Sequence, residues 1–397
     1  MTVVMKPPMK NVLMLLSKPY FGDTRVNREC ESLAGVEYST TILAWDRDKS
    51  PRTVTDESPP IHVELIGPAC RRRSFFEFIV KLPIFWKACL FAARKKDFSV
   101  VHAHDFDTLP VGCLISRLRG RPLIYDAHES YADMIAKDVP QVVTRLVRKL
   151  EKRLMRRAAV IFVANENVAK LIGAEKSVVL LNCPAESEIP ISCSAPKVVT
   201  AGGPKKLGYF GSLEPGRFIL ESIRAVTKAG GWQILIGGEG TLAEAVKDAA
   251  NGSQSVTVLG HIPHNEVMGQ SSKCDALHVM LDPSNANYRI STPLRLFEAM
   301  SLGIPSIVSK GIYPAEVVEK EGCGFVCDFE EEAFSDLLTR LSKSTQEMME
   351  RGSKGQQAFH REYKWEKQSV KLLLAYSEIL ETGKTGAPAR EVSWQTV

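Results

Sequence analysis

"ISTPLRLFEAMSLGIPSIVS", residues 290–309, sets the rhythm by which the rest of the chain is read. A helix opens at Pro293, stops at Gly303-Ile304-Pro305 and gives way to a short apolar run, as when a helix feeds a buried strand. That helix carries Arg295 and Glu298 one turn apart. As an exposed pair they would be worth about a few tenths of a kcal/mol.

The same unit recurs on both sides of this stretch. In the first half "NVLMLL", "STTILAW", "IHVELI", "FSVVHAH", "RPLIYDAH" and "AAVIFVAN" read as buried strands, and several of them are separated by helical patterns. In the second half "KKLGYFGS", "WQILIGGEG", "SVTVLGHIP", "DALHVMLDP", "IPSIVSK" and "GCGFVCDF" repeat the alternation, with amphipathic helices such as "RFILESIRAVTKAG" between them. Alternation of this kind predicts an α/β fold with a parallel sheet covered on both faces in each half. "NCPAESEIPISCSAPKVVTAGGPKK", residues 182–206, is rich in Pro, Ser, Ala and Gly and interrupts the pattern. The expected division is a first domain at 1–185, a linker at 186–206 and a second domain at 207–362. A helix at 363–382 should pack back toward the first domain, and a disordered tail is expected at 383–397.

Composition narrows the function. At 397 residues the chain exceeds what one hydrophobic core usually supports, so two domains with a cleft are expected. No apolar run approaches the ~20 residues that span a bilayer, and the short apolar start at Val12 to Leu16 reads as a first strand, so the chain is expected to stay in the cytoplasm. Nine cysteines show no C-x-x-C pair and no Cys/His metal spacing, so they read as reduced small hydrophobes. A net charge of +5 favours anionic ligands or surfaces without demanding nucleic acid.

Ligands of open parallel sheets bind beyond the carboxyl ends of the strands. The polar residues there include Gly22, Asp23 and Arg25, then His102, His104, Asp105 and Asp107, then Asp126, His128 and Glu129. Asp23 and Arg25 fit a helix cap plus a surface or phosphate contact, His102 fits a structural histidine, and Glu129 either works as an acid/base partner of His128 or caps the next helix. In the second half "YFGSLEPGRFILE" brings Gly211, Ser212 and Arg217 to the start of a helix, where backbone N–H groups already favour a phosphate. "IGGEGTLAEAV" is a glycine-rich turn without dinucleotide or Walker spacing, and Gly238 there permits close backbone approach. Arg295, in a first helical turn, is unfavourable against the dipole unless an anion binds it, and Glu298 suits ribose hydroxyls.

These residues resemble a family. "STPLRLFEAMSLGIPSIVS" looks like the P-x-K-x-x-E-x-x-x-x-G-x-P-V signature of retaining glycosyltransferases of family 4, and "GDTRVNRE", "VVHAHDFDTLP", "YDAHES", "GYFGSLEPGR", "GGEG" and "EKEGCGFVCD" follow in the expected order across residues 10–380. The resemblance implies a GT-B fold, two facing Rossmann-like domains, and transfer of a sugar with retention from a nucleotide-diphosphate sugar. It implies a catalytic role for His104, Arg217 and Arg295, and donor contacts from Gly211, Ser212, Gly238, Pro293, Leu294 and Glu298. Acceptor contacts fall to Gly22, Asp23, Arg25, Asp105, His128 and Glu129. No cofactor and no metal are called for, since the nucleotide sugar is a substrate. The chain departs from the family pattern with Ile290 where a first glutamate is common, Ser212 where an arginine is common, and Arg295 for the signature lysine. A nucleotide-sugar epimerase or hydrolase, or a binding protein of the same fold, are the rival readings.

Two basic segments add a partner. Residues 70–96 mix Arg71, Arg72, Arg73, Lys95 and Lys96 with Phe75, Phe76, Phe78, Phe85, Trp86 and Phe91, and residues 145–157 are again basic. Such a mixture suits a peripheral anionic membrane surface on the inner face of the cell membrane; the plain alternative is that the aromatics are a buried helix face.

Overall fold

The computed structural model describes residues 10–20, 22–47, 54–57, 60–71, 75–136, 139–174, 176–190 and 203–382. These fall into two units, one ending at Leu180 and resuming at Ser369, the other running from Leu181 to Gln368.

In the first unit the chain runs β1 (Lys10–Leu16), α1 (Thr24–Ala34), β2 (Tyr38–Trp45), β3 (Val54–Glu57), β4 (Pro60–Ile66), α2 (Phe75–Arg94), β5 (Val100–His104), α3 (Leu109–Arg119), β6 (Leu123–Ala127), α4 (Tyr131–Met134), α5 (Gln141–Met155), β7 (Val160–Val163), α6 (Glu166–Ile172) and β8 (Val178–Val179). The strands lie in the order β3-β4-β2-β1-β5-β6-β7-β8, all parallel except the β3–β4 pair. Val12 through Leu16 are fully buried, as expected of a strand covered on both faces. The six apolar runs of the first half become β1, β2, β4, β5, β6 and β7. β3, a polar "VTDE" at the sheet edge, and the two-residue β8 carry too little apolar pattern to be seen in sequence.

The second unit runs β9 (Lys205–Phe210), α7 (Ile219–Ala229), β10 (Trp232–Gly237), α8 (Ala243–Ala250), β11 (Val256–Gly260), α9 (His264–Ser271), β12 (Ala276–Val279), α10 (Ala286–Ile290), α11 (Leu294–Ser301), β13 (Ser306–Ser309), α12 (Tyr313–Glu321), β14 (Gly324–Cys327), α13 (Glu331–Ser342) and α14 (Thr345–Arg361). Its sheet is wholly parallel in the order β11-β10-β9-β12-β13-β14. The core between sheet and helices is built around Trp232, Ile234, Phe334 and Leu338, with the Trp232 indole N–H donating to the Leu338 carbonyl at 2.8 Å. The last helix, α15 (Trp365–Thr382), begins in the second unit and from Ser369 onward belongs to the first.

Strand order reverses between β1 and β5 in one sheet and between β9 and β12 in the other. Loops diverge at such points and leave a crevice at the carboxyl ends of the strands. Residues 191–202 of the expected linker and the expected tail at 383–397 lie outside the described residues. The eight free cysteines described are all buried. Among the described residues no helix is long and apolar enough to cross a membrane.

Candidate active site

The first-unit crevice is organised by the register of β5 and β6. Side chains two apart on a strand share a face, so His102 and His104 stack with ring centroids 4.1 Å apart, and His104 lies level with Asp126 on the neighbouring strand. α1 covers that face and lowers Arg25 and Glu29, one turn apart, onto it. Arg25 grips Asp126 with two hydrogen bonds, Nε to Oδ2 at 2.8 Å and Nη2 to Oδ1 at 2.7 Å, and donates a third to the Leu180 carbonyl at 2.6 Å. It also lies 3.2 Å from Glu29. Buried and fully engaged, Arg25 is not the surface or acceptor contact that the sequence suggested: strand alternation puts a carboxylate directly beneath it.

Protonation follows from this packing. Burial alone would raise the Asp126 carboxyl, but Arg25 and His128 overcome it and hold Asp126 well below the usual range, hence ionised. Glu29 is pushed well above its ordinary value by burial and by the charge of Asp126. Burial holds His102 and His104 below the ordinary histidine value, so both rings are neutral. Against burial, Asp105 and Asp126 raise His128. Glu29, His102, His104 and Asp126 bring ligand-capable atoms within 4.8 Å of one another, yet both Asp126 oxygens already accept from Arg25, and a divalent ion would face that guanidinium.

His104 is only 1% exposed, its Nδ1 is 3.3 Å from His128 Nε2, and its Nε2 has no hydrogen-bond partner and lies 3.9 Å from Glu29. His128 is the ring that reaches outward, with Nε2 3.0 Å from Asp126 and Nδ1 3.7 Å from Asp105. Asp105 holds a left-handed backbone at φ 63°, a conformation that side chains other than glycine adopt under constraint. Its carboxylate accepts the His128 backbone N–H at 3.3 Å. Asp23 caps α1 by accepting from the Val26 N–H at 3.3 Å and pairs with Lys18 at 2.9 Å, which against burial holds its carboxyl at about 2. Gly22, at φ 87° with open space beside it, forms the turn into that cap. Glu129 is half-buried and does not occupy the cap of α4, which falls to Ser130. His102 is fully buried with Nδ1 2.8 Å from the Tyr376 hydroxyl, in keeping with a structural histidine.

The second-unit crevice has the opposite character. Arg295, the second residue of α11, is 8% exposed; its Nη1 and Nη2 are buried and hydrogen-bond to nothing. It does not pair with Glu298, which is itself 3% exposed, so the surface ion pair considered above is absent. The guanidinium lies 4.5 Å over the Tyr209 ring and against Gly211, where a Cβ would come within 3.3 Å of Nη1. Beside Tyr209 sits His278, held down to about 3 by burial and by Arg295, so its ring is neutral and adds no like charge near the guanidinium. Pro293 occupies the cap of α11 and supplies no side-chain acceptor, leaving the helix start, with Leu294, open to an external anion. Arg217 is half-buried, its Nε lacks a partner and its guanidinium stands 5.5 Å over Tyr288. Tyr288 in turn packs on Gly216, and Phe218 after Arg217 is left-handed at φ 57°.

Backbone pairing continues past the ends of β9 and β10. The Gly211 N–H donates to Gly237 at 2.9 Å, Leu213 to Glu239 at 2.8 Å and Leu242 to Leu213 at 2.9 Å. A Cβ on Gly238 would run into the Gly211 carbonyl oxygen. Gly238 is therefore glycine for backbone approach, and Ser212 projects from this platform exposed.

Sequence inspection placed Asp126 beyond a strand end without giving it a role, gave none to Tyr288, and did not single out Glu29 or Tyr209. The signals available were spacing: Glu29 falls four after Arg25, and Asp126 two before His128.

Residues 22–179 match a model described as glycosyl transferase 4-like domain, and residues 204–344 match one described as glycosyl transferases group 1. No curated protein matches the sequence. Among solved structures, sucrose-phosphate synthase from Thermosynechococcus elongatus superimposes with a TM-score of 0.76 at 18% identity, covering 94% of this chain and 100% of that one. HepE of Anabaena in complex with UDP gives 0.66 at 14%, covering 93% and 100%. The catalytic domain of starch synthase IV from Arabidopsis thaliana, bound to ADP and acarbose, gives 0.65 at 12%, covering 94% and 99%. The fold is that of the GT-B proteins.

Proposed function

Because the chain belongs to the glycosyl transferases, with a 4-like first half and a group 1 second half, we propose that it moves a sugar from a nucleotide-diphosphate sugar to a hydroxyl acceptor with retention at the anomeric carbon. The observation that carries the reading is the Arg295 guanidinium, buried with Nη1 and Nη2 unpartnered. Leaving such donors unsatisfied costs about 1–3 kcal/mol each, and a diphosphate satisfies them.

In this reading the second unit holds the donor. Arg295, Arg217 and the open start of α11 receive the charge that grows on the diphosphate as the bond from C1 to the phosphate oxygen breaks. Glu298 accepts ribose hydroxyls, and Gly211, Ser212, Gly238, Pro293 and Leu294 shape the platform. The acceptor oxygen bonds to C1 on the face the diphosphate leaves, and its proton passes to a phosphate oxygen. The arginines supply the positive charge, so neither a metal nor a cofactor is required. The first unit takes the acceptor, a glycan, lipid-linked or small molecule, beside Gly22, Asp23, Asp105, His128 and Glu129. His104 positions the sugar through the His128–Asp126 network. The exposed faces of α2 and α5 further support a cytoplasmic protein peripheral on an anionic membrane. Val142, Leu146 and Leu150 stand 73%, 64% and 41% exposed along basic α5. Arg72 and Arg73 lie outside the described residues.

The test is a panel of uridine, adenosine and guanosine diphosphate sugars, read by thermal shift and then by product mass and anomeric configuration. A new glycoside with the donor's configuration is expected. An inverted glycoside overturns retention, an epimer or free sugar makes the chain an epimerase or hydrolase, and donor binding without turnover makes it a binding protein.

A further inference from the structure

α2 has two apolar faces, and only one of them is covered. Phe85 and Cys89 are fully buried and Ala93 is 2% exposed, so the inner face packs on the sheet. On the outer face Phe76, Val80, Ile84 and Phe91 stand 80%, 55%, 53% and 54% exposed. Their spacings of four, four and seven residues put them in one stripe along the helix. The stripe runs into a groove of about 350 Å³ between α2 and α3, walled by Leu90, Phe91, Ile115 and Leu118. Lys87, Arg94 and Arg119 rim it, and no acidic residue lines it.

The rim cations differ in how they are held. Arg119 donates to the carbonyl oxygens of Arg94 at 3.2 Å and Lys96 at 2.9 Å, closing the end of α2. Lys87 and Arg94 stand over the Phe91 ring at 5.9 and 5.8 Å and have no carboxylate partner among the described residues. Aliphatic walls under unneutralised cations complement a molecule with a hydrocarbon chain and an anionic head. An apolar protein face would instead bury these cations unpaired, which is costly.

The place in the fold separates this groove from the sugar chemistry. α3 leaves the carboxyl end of β5 at Leu109 and ends at Arg119 before β6, and α2 ends at Arg94 before β5. The groove therefore lies toward the amino ends of the strands, opposite His104 and Asp126.

We propose that this groove binds one anionic glycerophospholipid, an acyl chain against Leu90, Phe91, Ile115 and Leu118 and the phosphate at Lys87 and Arg94. The α2 stripe then lies in the apolar boundary of the bilayer. The site rests on the membrane association proposed above and gives it a specific lipid contact in place of a diffuse charge attraction.

The experiment uses the full chain and dihexanoyl phosphatidylglycerol below its critical micelle concentration, followed by calorimetric titration. Dihexanoyl phosphatidylcholine and inorganic phosphate serve as separate arms, and vesicles of phosphatidylcholine with phosphatidylglycerol as another. Saturable binding of the anionic short-chain lipid is expected. It should be weakened at least ~10-fold by Leu118→Glu and by the pair Lys87→Glu, Arg94→Glu, with melting temperature and transfer to a soluble acceptor unchanged because these side chains are exposed. Vesicle binding without short-chain binding sinks the groove but not the membrane reading, and no vesicle binding sinks both. Equal binding of inorganic phosphate makes it a free-anion site, and self-association abolished by Leu118→Glu assigns the face to a second copy. Either result overturns the lipid assignment, as does binding that the variants leave intact.

Discussion

Arg25 and Arg295 occupy the same place in two units: each is the second residue of a helix with no acidic residue in its first turn, and each is buried. Arg25 has used its donors on Asp126 and Leu180, and Arg295 has buried donors with nothing to give them to. The dipole at a helix start opposes a cation in both cases. In the first unit the fold itself supplies the compensating anion; in the second the chain supplies none to the guanidinium Nη atoms. Two arginines at the same helical position thus differ by whether the chain provides the partner, and the proposed diphosphate would make up the difference.

The sharpest break of that comparison is stability. Arg25→Ala leaves the buried Asp126 carboxylate without its cationic partner, with only the His128 and His104 rings beside it, and should cost about 3–5 kcal/mol by denaturant titration; a cost below about 1 kcal/mol would remove Arg25 from the scaffold. Arg295→Ala removes two buried donors that have no partner, so it should leave the unliganded chain at least as stable as the parent while lowering donor use by about 10²-fold or more, measured as kcat/KM. Arg217→Ala should move the same way by less, being half-buried. Normal turnover in both variants would sink the diphosphate site.

A finer probe is His104→Ala, expected to reduce turnover by about 10²-fold with nucleotide diphosphate affinity unchanged, since the nucleotide belongs to the other unit in this reading. Near-normal transfer with a lower melting temperature would class His104 with Arg25 as scaffold. The smallest effect concerns Glu151 on α5, 1% exposed, which accepts the Tyr125 hydroxyl at 2.6 Å. Burial raises its carboxyl to about 7 from an ordinary value of 4.5. The fold favours the protonated form, so stability falls as pH rises from 4.5 toward about 7 and is level above. Glu151→Gln should flatten the parent's loss between pH 5 and 8 by about 2 kcal/mol. An unchanged slope would mean that Glu151 is ionised in the fold.

The strands were legible because parallel strands covered on both faces must be continuously apolar, as "NVLMLL" and "DALHVMLDP" are. β3 was not, since an edge strand need not be apolar, and neither was β8, too short to carry a period. At the sites, Arg295 stands out in one dimension because a cation in a first helical turn opposes the dipole, and Arg217 draws notice only by preceding a helix, α7, whose cap is Phe218. The engagement of Arg25 could not be seen there: Asp126 lies 101 residues away, and only the parallel register of β5 with β6 reveals that the two meet. For the same reason His104, placed at the end of β5, reads as outward in sequence and is inward in the fold.

The pairing that continues beyond β9 and β10 has a kinetic meaning. Loops that bind ligands ordinarily open first, and their amides exchange with solvent long before those of the sheet. Here Gly211, Leu213 and Leu242 donate across neighbouring loops as though the ladder had not ended. Opening them frays the carboxyl end of the β9–β10 ladder, so their protons should exchange more slowly than those of loops that lack such pairing. The second-unit platform then enters each encounter already ordered, and little conformational entropy is left to lose when a ligand arrives.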